Sequence, residues 1–491
     1  MKRNMEKSLF KNAIYKIALN FFNLIVPILI GPYVYRALGA DSIGKVKYGE
    51  SIFNYFFIFA TFGIYQYGLR EISRIKKDKA KVAQLFTTLF TFSLITNAVT
   101  MAAYLLVTFL GYGDHYLFPI LLIFSFSFVM NIFYVEWLNE AFENYDFITI
   151  KTIIVKIIYV VLLIALVKSS ADYLIFTSLL VMTTSLNNII SFVYIKRQVK
   201  FDFSHMKFKP HIKPLFLVVI FMNGNILYSQ LDIFMLGRYV SDAAVSFYVM
   251  SKQITTIISA LMLSVVQVTI PRLSYILGSS NDEESYVNLV QRVARIYYAV
   301  LFPAAVGLLA ISDLGVIAYG GGEFAGAGSV LAVYSIYMIF VGTDNVLANQ
   351  VMYVKKKENI LVRFIVVGGI FNLMLNAIFV YLDLFSAAVA IGTTAASTVL
   401  LVAMEYYYIR KKLDIPLFLF NKTNMKYLLF SLTFFPISYI LRSFISGTYV
   451  LFTVIVVACI AVYGALMWLT KDEMLYLLLD KVKNKLPGFK K

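Results

Sequence analysis

The sequence predicts an all-α polytopic membrane protein with about fourteen transmembrane helices. Three observations carry this. The 491 residues are 60% hydrophobic and 14% charged, with a mean hydropathy of +0.77, too few polar groups to coat a soluble protein of this size. The apolar residues come in blocks of about 20, the length that crosses a hydrocarbon core roughly 30 Å thick. Lysine and arginine gather in alternate connections between the blocks.

Taken in order, the N-terminal stretch MKRNMEKSLFKNAIYK is basic and runs into span 1, residues 13–35. That run is too long for a signal-peptide core and lacks a cleavage site, so it reads as a retained helix. Pro27 and the Gly31-Pro32 pair mark a bend in it. Spans 2 to 6 follow at 47–69, 83–110, 116–138, 147–167 and 172–195. Spans 7 to 12 follow at 214–237, 243–269, 293–311, 327–353, 359–381 and 387–409. Spans 13 and 14 lie at 426–442 and 449–469, and the tail KDEMLYLLLDKVKNKLPGFKK reads as a basic amphipathic helix on the inner membrane face. A pseudo-symmetric arrangement is expected: an N-terminal lobe over 1–200, a C-terminal lobe over 201–412, and two peripheral helices with the tail over 413–491. The two six-helix lobes are expected to flank a central cavity.

With both termini in the cytoplasm, about 35 of the 44 Lys and Arg fall in cytoplasmic segments and about 6 outside. The dense runs RIKKDKAK (74–81), KRQVK (196–200), KKK (355–357) and RKK (410–412) all fall inside. The net charge of +17 therefore reports orientation, and a nucleic-acid role has no footing. The single Cys459 sits in an apolar block, which excludes a disulfide framework, and the three histidines form no cluster. No phosphate-binding G-x-x-x-x-G-K-[ST] occurs, and no cofactor is expected. The outer connections are too short for an extracellular catalytic domain.

The exceptions to the charge rule carry the functional signal. RALGADSIGKVKYGESI (36–52) opens span 2, and FMLGRYVSDAAVSFYVMSKQI (234–254) opens span 8, about 200 residues later. Both carry Leu-Gly, a nearby basic residue, an Asp and then a lysine on the new helix, as in an internal repeat whose interface forms a binding site. Four of the six outer basic residues, Arg36, Lys45, Lys47 and Arg238, belong to these junctions, and Lys252 lies about two turns further on. Such a charge costs roughly 2.5–3.5 kcal/mol in the membrane unless it meets water, a partner or a ligand. Helical spacing puts Lys16, Asn20, Asn23, Pro27 and Gly31 on one face of span 1. It does the same for Lys47, Glu50 and Asn54 in span 2, for Asn225, Ser229 and Asp232 in span 7, and for Tyr248, Lys252, Thr255 and Ser259 in span 8, while Lys45 points elsewhere. A basic cavity with Asn, Ser, Thr and Tyr fits an anionic ligand, phosphate first, and a sugar beside it. The plainer readings are a Lys47–Glu50 pair at i,i+3, interfacial anchoring by Arg36 and Arg238, and snorkelling by Lys16 and Lys156.

At these residues the chain resembles bacterial polysaccharide-unit flippases of the multidrug/oligosaccharidyl-lipid/polysaccharide exporter superfamily. The match rests on Arg36, Leu38, Gly39, Gly44, Tyr55, Phe56, Gly63, Tyr67, Gly68, Arg70, Glu71 and Ile72, then on QLDIFMLGR (230–238) and ISDLGVIAYGGGEFAGAGSVL (311–331). The resemblance implies alternating access around a cationic cavity. It implies transfer of a polyprenyl-diphosphate-linked glycan, a polysaccharide unit or a teichoic-acid chain, across a bacterial cytoplasmic membrane. Membrane lipids and polymer-synthesis enzymes are the implied partners. A proton or Na⁺ gradient is a possible drive, with Asp232 and Asp344 as ion candidates and Glu50 third. One charge crossing the membrane yields about 2.3 kcal/mol per 100 mV. The alternative is a cation-coupled multidrug exporter of the same superfamily, which calls for an acidic site; a glycan polymerase calls for a long outer loop that this chain lacks.

Overall fold

The structure, a computed structural model, describes residues 2–475 apart from 205, 280 and 281; side chains are not described at 2–10, 13, 217, 220–229, 264, 265 and 279. Among the described residues it is helical with no strand. Among the described residues, twelve helical segments are long and apolar enough to span a membrane. The first of them, Ile14–Ile75, is 62 residues long, enough for two crossings at about 20 residues each. The helix Lys209–Tyr239 adds 31 residues, a comparable length, so the described helices agree with about fourteen spans of an all-α polytopic membrane protein. Large apolar side chains such as Leu110, Val268, Tyr381 and Phe444 are nearly fully exposed, as lipid contact requires.

The chain forms two compact units, Met1–Ser246 and Phe247–Lys491. In the first, α1 (Lys2–Thr61) carries both span 1 and span 2. Gly39, at φ 73° and ψ 174°, breaks its helical path in a conformation that only glycine adopts without strain. A second break at Phe62 and Gly63, both with positive φ, separates α2 (Ile64–Ile75). Then follow α3 (Lys79–Tyr112), capped by the Asp78 side chain, α4 (Phe118–Asn131), the short α5 (Glu136–Ala141), α6 (Tyr145–Leu166), α7 (Tyr173–Lys196) and α8 (Lys209–Tyr239). Helix α8 packs along α1, and the division between the two units falls after Ser246. Two aromatic clusters hold this unit. One joins Phe86, Trp137, Leu138 and Leu89; the other stacks Phe53 on Phe124 at 5.2 Å and packs Tyr104 edge-on against Phe53.

The second unit holds α9 (Asp242–Ser279, of which its first five residues belong to the first unit), α10 (Glu283–Ala310), α11 (Ser312–Gly320), α12 (Ala327–Val346), α13 (Glu358–Tyr381) and α14 (Ala387–Lys411). A π-helical turn, Leu347–Tyr353, extends α12. The peripheral pair is α15 (Lys422–Leu432) continuing through Thr433 into α16 (Phe434–Phe444), and α17 (Thr448–Leu469). Its core runs through Tyr286, Tyr297, Tyr298, Phe302, Met338 and Val351. Most of the tail expected to form an amphipathic helix lies outside the described residues.

Candidate functional site

In the first unit the two repeat junctions meet. A Cβ on Gly44 would lie 1.8 Å from the Asp242 carbonyl oxygen, and one on Gly237 would lie 2.3 Å from the Tyr48 ring, so both glycines permit direct backbone approach. Around that contact, Tyr116 donates to Asp242 Oδ1 at 2.8 Å and Ser42 donates to the Ser170 carbonyl at 2.8 Å. The Tyr48 and Tyr112 hydroxyls lie near each other and near Arg238. Phe234 packs edge-on against Tyr48 at 5.9 Å and Tyr55 at 6.3 Å. Lys45 places its ammonium 5.7 Å from the Tyr116 ring and 5.9 Å from the Tyr173 ring.

Of the residues singled out from the sequence, Lys47 is bonded to Glu50 at 2.5 Å, with both side chains about 30% exposed. Their charges largely cancel. Arg36 and Arg238 are exposed. Lys16 is exposed and lies 5.6 Å from the Tyr145 ring centre. Lys156 donates to Asn23 Oδ1 at 2.6 Å, which joins α6 to the polar stripe of span 1. Asp232 is fully buried, beside Tyr55. Asn225 lies on α8 among the side chains not described. In the second unit, Tyr248 is buried against Tyr334 with ring centres 5.3 Å apart, and Lys252, one turn on, is half-buried. The neighbouring Gln253 donates to the Tyr319 hydroxyl at 3.0 Å. Asp344 faces Glu405 across the α12–α14 seam.

Two charged clusters escape a reading of the sequence. Lys151 is buried and donates to both Glu136 oxygens at 2.9 and 3.1 Å and to Ser191 at 2.7 Å, and Ser191 donates back to Glu136 at 2.6 Å. The available signal is a lysine inside the apolar run FITIKTIIV (147–155). The second is Glu405 itself, five residues from the RKK run. A cleft of about 400 Å³ lies elsewhere, where α9 meets α10, lined by Arg272, Asp282, Ser285, Asn288 and Arg292. It contains none of the predicted residues. Among the described residues no cluster of His, Cys, Asp and Glu could hold a metal ion.

The arrangement can present cationic and aromatic groups together, the chemistry that suits a phosphorylated sugar. The family model for polysaccharide biosynthesis proteins matches residues 9–277, more than half of the chain and both junctions. The chain belongs to this family. Among its relatives is the "Putative O-antigen transporter" of Escherichia coli (strain K12), 23% identical over 417 residues, covering 82% of this chain and 97% of that protein. The family fold is similar to that of the lipid II flippase MurJ in an inward closed conformation, with a TM-score of 0.73 and 18% identity over 94% of this chain and 99% of that one. It is also similar to the MATE multidrug transporter DinF-BH, with a TM-score of 0.52 and 17% identity over 83% of this chain and 96% of that one.

Proposed function

We propose that the chain is a flippase that carries a polyprenyl-diphosphate-linked glycan from the inner to the outer leaflet of a bacterial cytoplasmic membrane. It does so by alternating access and supplies a cell-surface polymer, an O-antigen-like or capsular unit or a teichoic-acid chain. Both termini and the lysine-rich ends face the cytoplasm, following the charge rule. One observation carries the reading: the family match over 9–277 contains both basic junctions, and these are the segments that pack on each other at Gly44–Asp242 and Gly237–Tyr48. Lys45 over Tyr116 and Tyr173 pairs a phosphate-binding charge with ring faces on which a sugar can stack. The closed junction then acts as the outer gate, and enzymes that polymerise or attach glycans take the product.

Conditional depletion, followed by mass analysis of lipid-linked intermediates, tests this directly. Accumulation of a glycan-bearing polyprenyl diphosphate is the expected result. Unchanged intermediates with raised sensitivity to cationic dyes would replace it with the multidrug-exporter reading, whose fold this chain shares. The variant Lys252→Ala should impair export at normal protein level and membrane insertion; unchanged surface glycan would remove Lys252 from the site.

A further inference from the structure

The seam between α12 and α14 holds a carboxyl with no donor. Glu405 is 0% exposed, and neither of its carboxyl oxygens has a hydrogen-bond donor among the described residues. The group it faces, within hydrogen-bonding reach, is the carboxyl of Asp344. Two ionised carboxylates are both acceptors, so they repel and cannot bond. One proton between them gives an O–H···O⁻ bond and leaves a single negative charge. Among the described residues no lysine or arginine makes an ion pair with either group.

The surroundings from each packed element are as follows. Helix α10 brings Tyr297, which lies near Asp344 and Asn345, and Tyr298, which donates to Thr343 Oγ1 at 3.0 Å. From α11, Asp313 is engaged by Arg442. On α13, Arg363 is exposed. Tyr406 on α14 donates to the Leu417 carbonyl. The π-turn that begins three residues after Asp344 brings Gln350, whose amide donates to Thr269 at 2.9 Å, and the exposed Tyr353. Asp344 is half-buried, whereas Glu405 is fully buried.

We propose that Asp344 and Glu405 are a proton-binding site, with one proton shared between the two carboxyls, and that its loading is coupled to glycan transport. The coupling rests on the flippase reading above; the proton binding does not. A hard metal cation would need about six oxygen ligands. Two carboxyls side by side satisfy a proton more readily.

The test uses the full-length chain, purified and placed in liposomes. An infrared pH titration of the wild type should show a protonated-carboxyl band that Glu405→Gln and Asp344→Asn each remove. A band that persists in both variants overturns the site, and so does its loss when Na⁺ replaces K⁺ at fixed pH, which would mark a metal-cation site. Coupling is read separately, using lipid-linked intermediates extracted from depleted cells. Their flipping should respond to an imposed pH gradient in the wild type and lose roughly tenfold of that response in Glu405→Gln, within the 5–150-fold range of coupled sites. An unchanged gradient response in that variant overturns the coupling. If the wild type flips no glycan lipid while the band titrates and vanishes in the variants, the flippase reading has failed and the proton site stands.

Discussion

Gly44→Ala is the sharpest test of how the two junctions meet. Its Cβ would sit 1.8 Å from the Asp242 carbonyl oxygen, with the carbonyl carbon at 2.3 Å and Cα at 2.8 Å. Ordinary carbon–oxygen contacts begin at about 3.3 Å, so the two segments must part by roughly 1.5 Å. The obstacle is backbone, which a rotamer change cannot clear. Overpacking of this kind costs about 1–3 kcal/mol. Parting the segments also stretches the Tyr116–Asp242 bond, now 2.8 Å, and a hydrogen bond to a charged group contributes about 1.5–3 kcal/mol. A total near 3 kcal/mol disfavours the closed junction roughly a hundredfold, at 1.4 kcal/mol per factor of ten.

Two measurements check it. The closed state should melt at a lower temperature in detergent. A cysteine placed at buried Ser42, in a background where the chain's single cysteine is replaced by Cys459→Ala, should react faster with an impermeant maleimide when Gly44→Ala is present. Unchanged melting together with unchanged labelling would refute the reasoning, because a 1.8 Å approach cannot absorb a methyl group silently.

Two further outcomes follow from charge pairs. Lys151→Met strands Glu136 in a buried site and should cost about 3–5 kcal/mol in unfolding experiments, while the double replacement Lys151→Met with Glu136→Leu should recover much of the loss; a single variant as stable as the wild type would contradict the buried pair. The Arg442 guanidinium bonds both Asp313 oxygens, at 2.6 and 2.7 Å, and its hydrogen bonds hold that carboxyl below its usual 3.8. A depressed carboxylate stabilises the fold above the unfolded value and loses that contribution as pH falls through the folded one, so the effect should fade only below about pH 4. The pair is partly exposed, so Arg442→Ala should cost about 0.5–1 kcal/mol at neutral pH and nothing once Asp313 is protonated. A loss independent of pH would point to packing.

What can be read from the sequence divides along a physical line. Helix spans are local: about 20 apolar residues suffice, and the limits 172–195, 359–381 and 449–469 fall within a residue or two of Tyr173–Lys196, Glu358–Tyr381 and Thr448–Leu469. The membership of the family is legible for the same reason, since its motifs are short and contiguous. Side-chain partnership is not local. A single helical phase points Lys45 away from Lys47, but its partners, Tyr116 and Tyr173, come from two other connections that no periodicity within span 2 can reveal. Lys151 meets Glu136 only because the chain turns through the short α5, and a lysine read by itself in an apolar run says that a partner exists without saying which. Glu405 is hidden by its position five residues from Arg410, where a charge is unremarkable at a span end, and only its tertiary setting shows a fully buried carboxyl with no donor. Composition therefore reports which helices must exist and which charges need partners, whereas the identity of each partner is settled by packing between helices far apart in sequence. Mutating one charge at a time cannot separate those two kinds of information; paired replacements at Lys151–Glu136 and Asp344–Glu405 can, because each restores or removes a contact while leaving the apolar pattern intact.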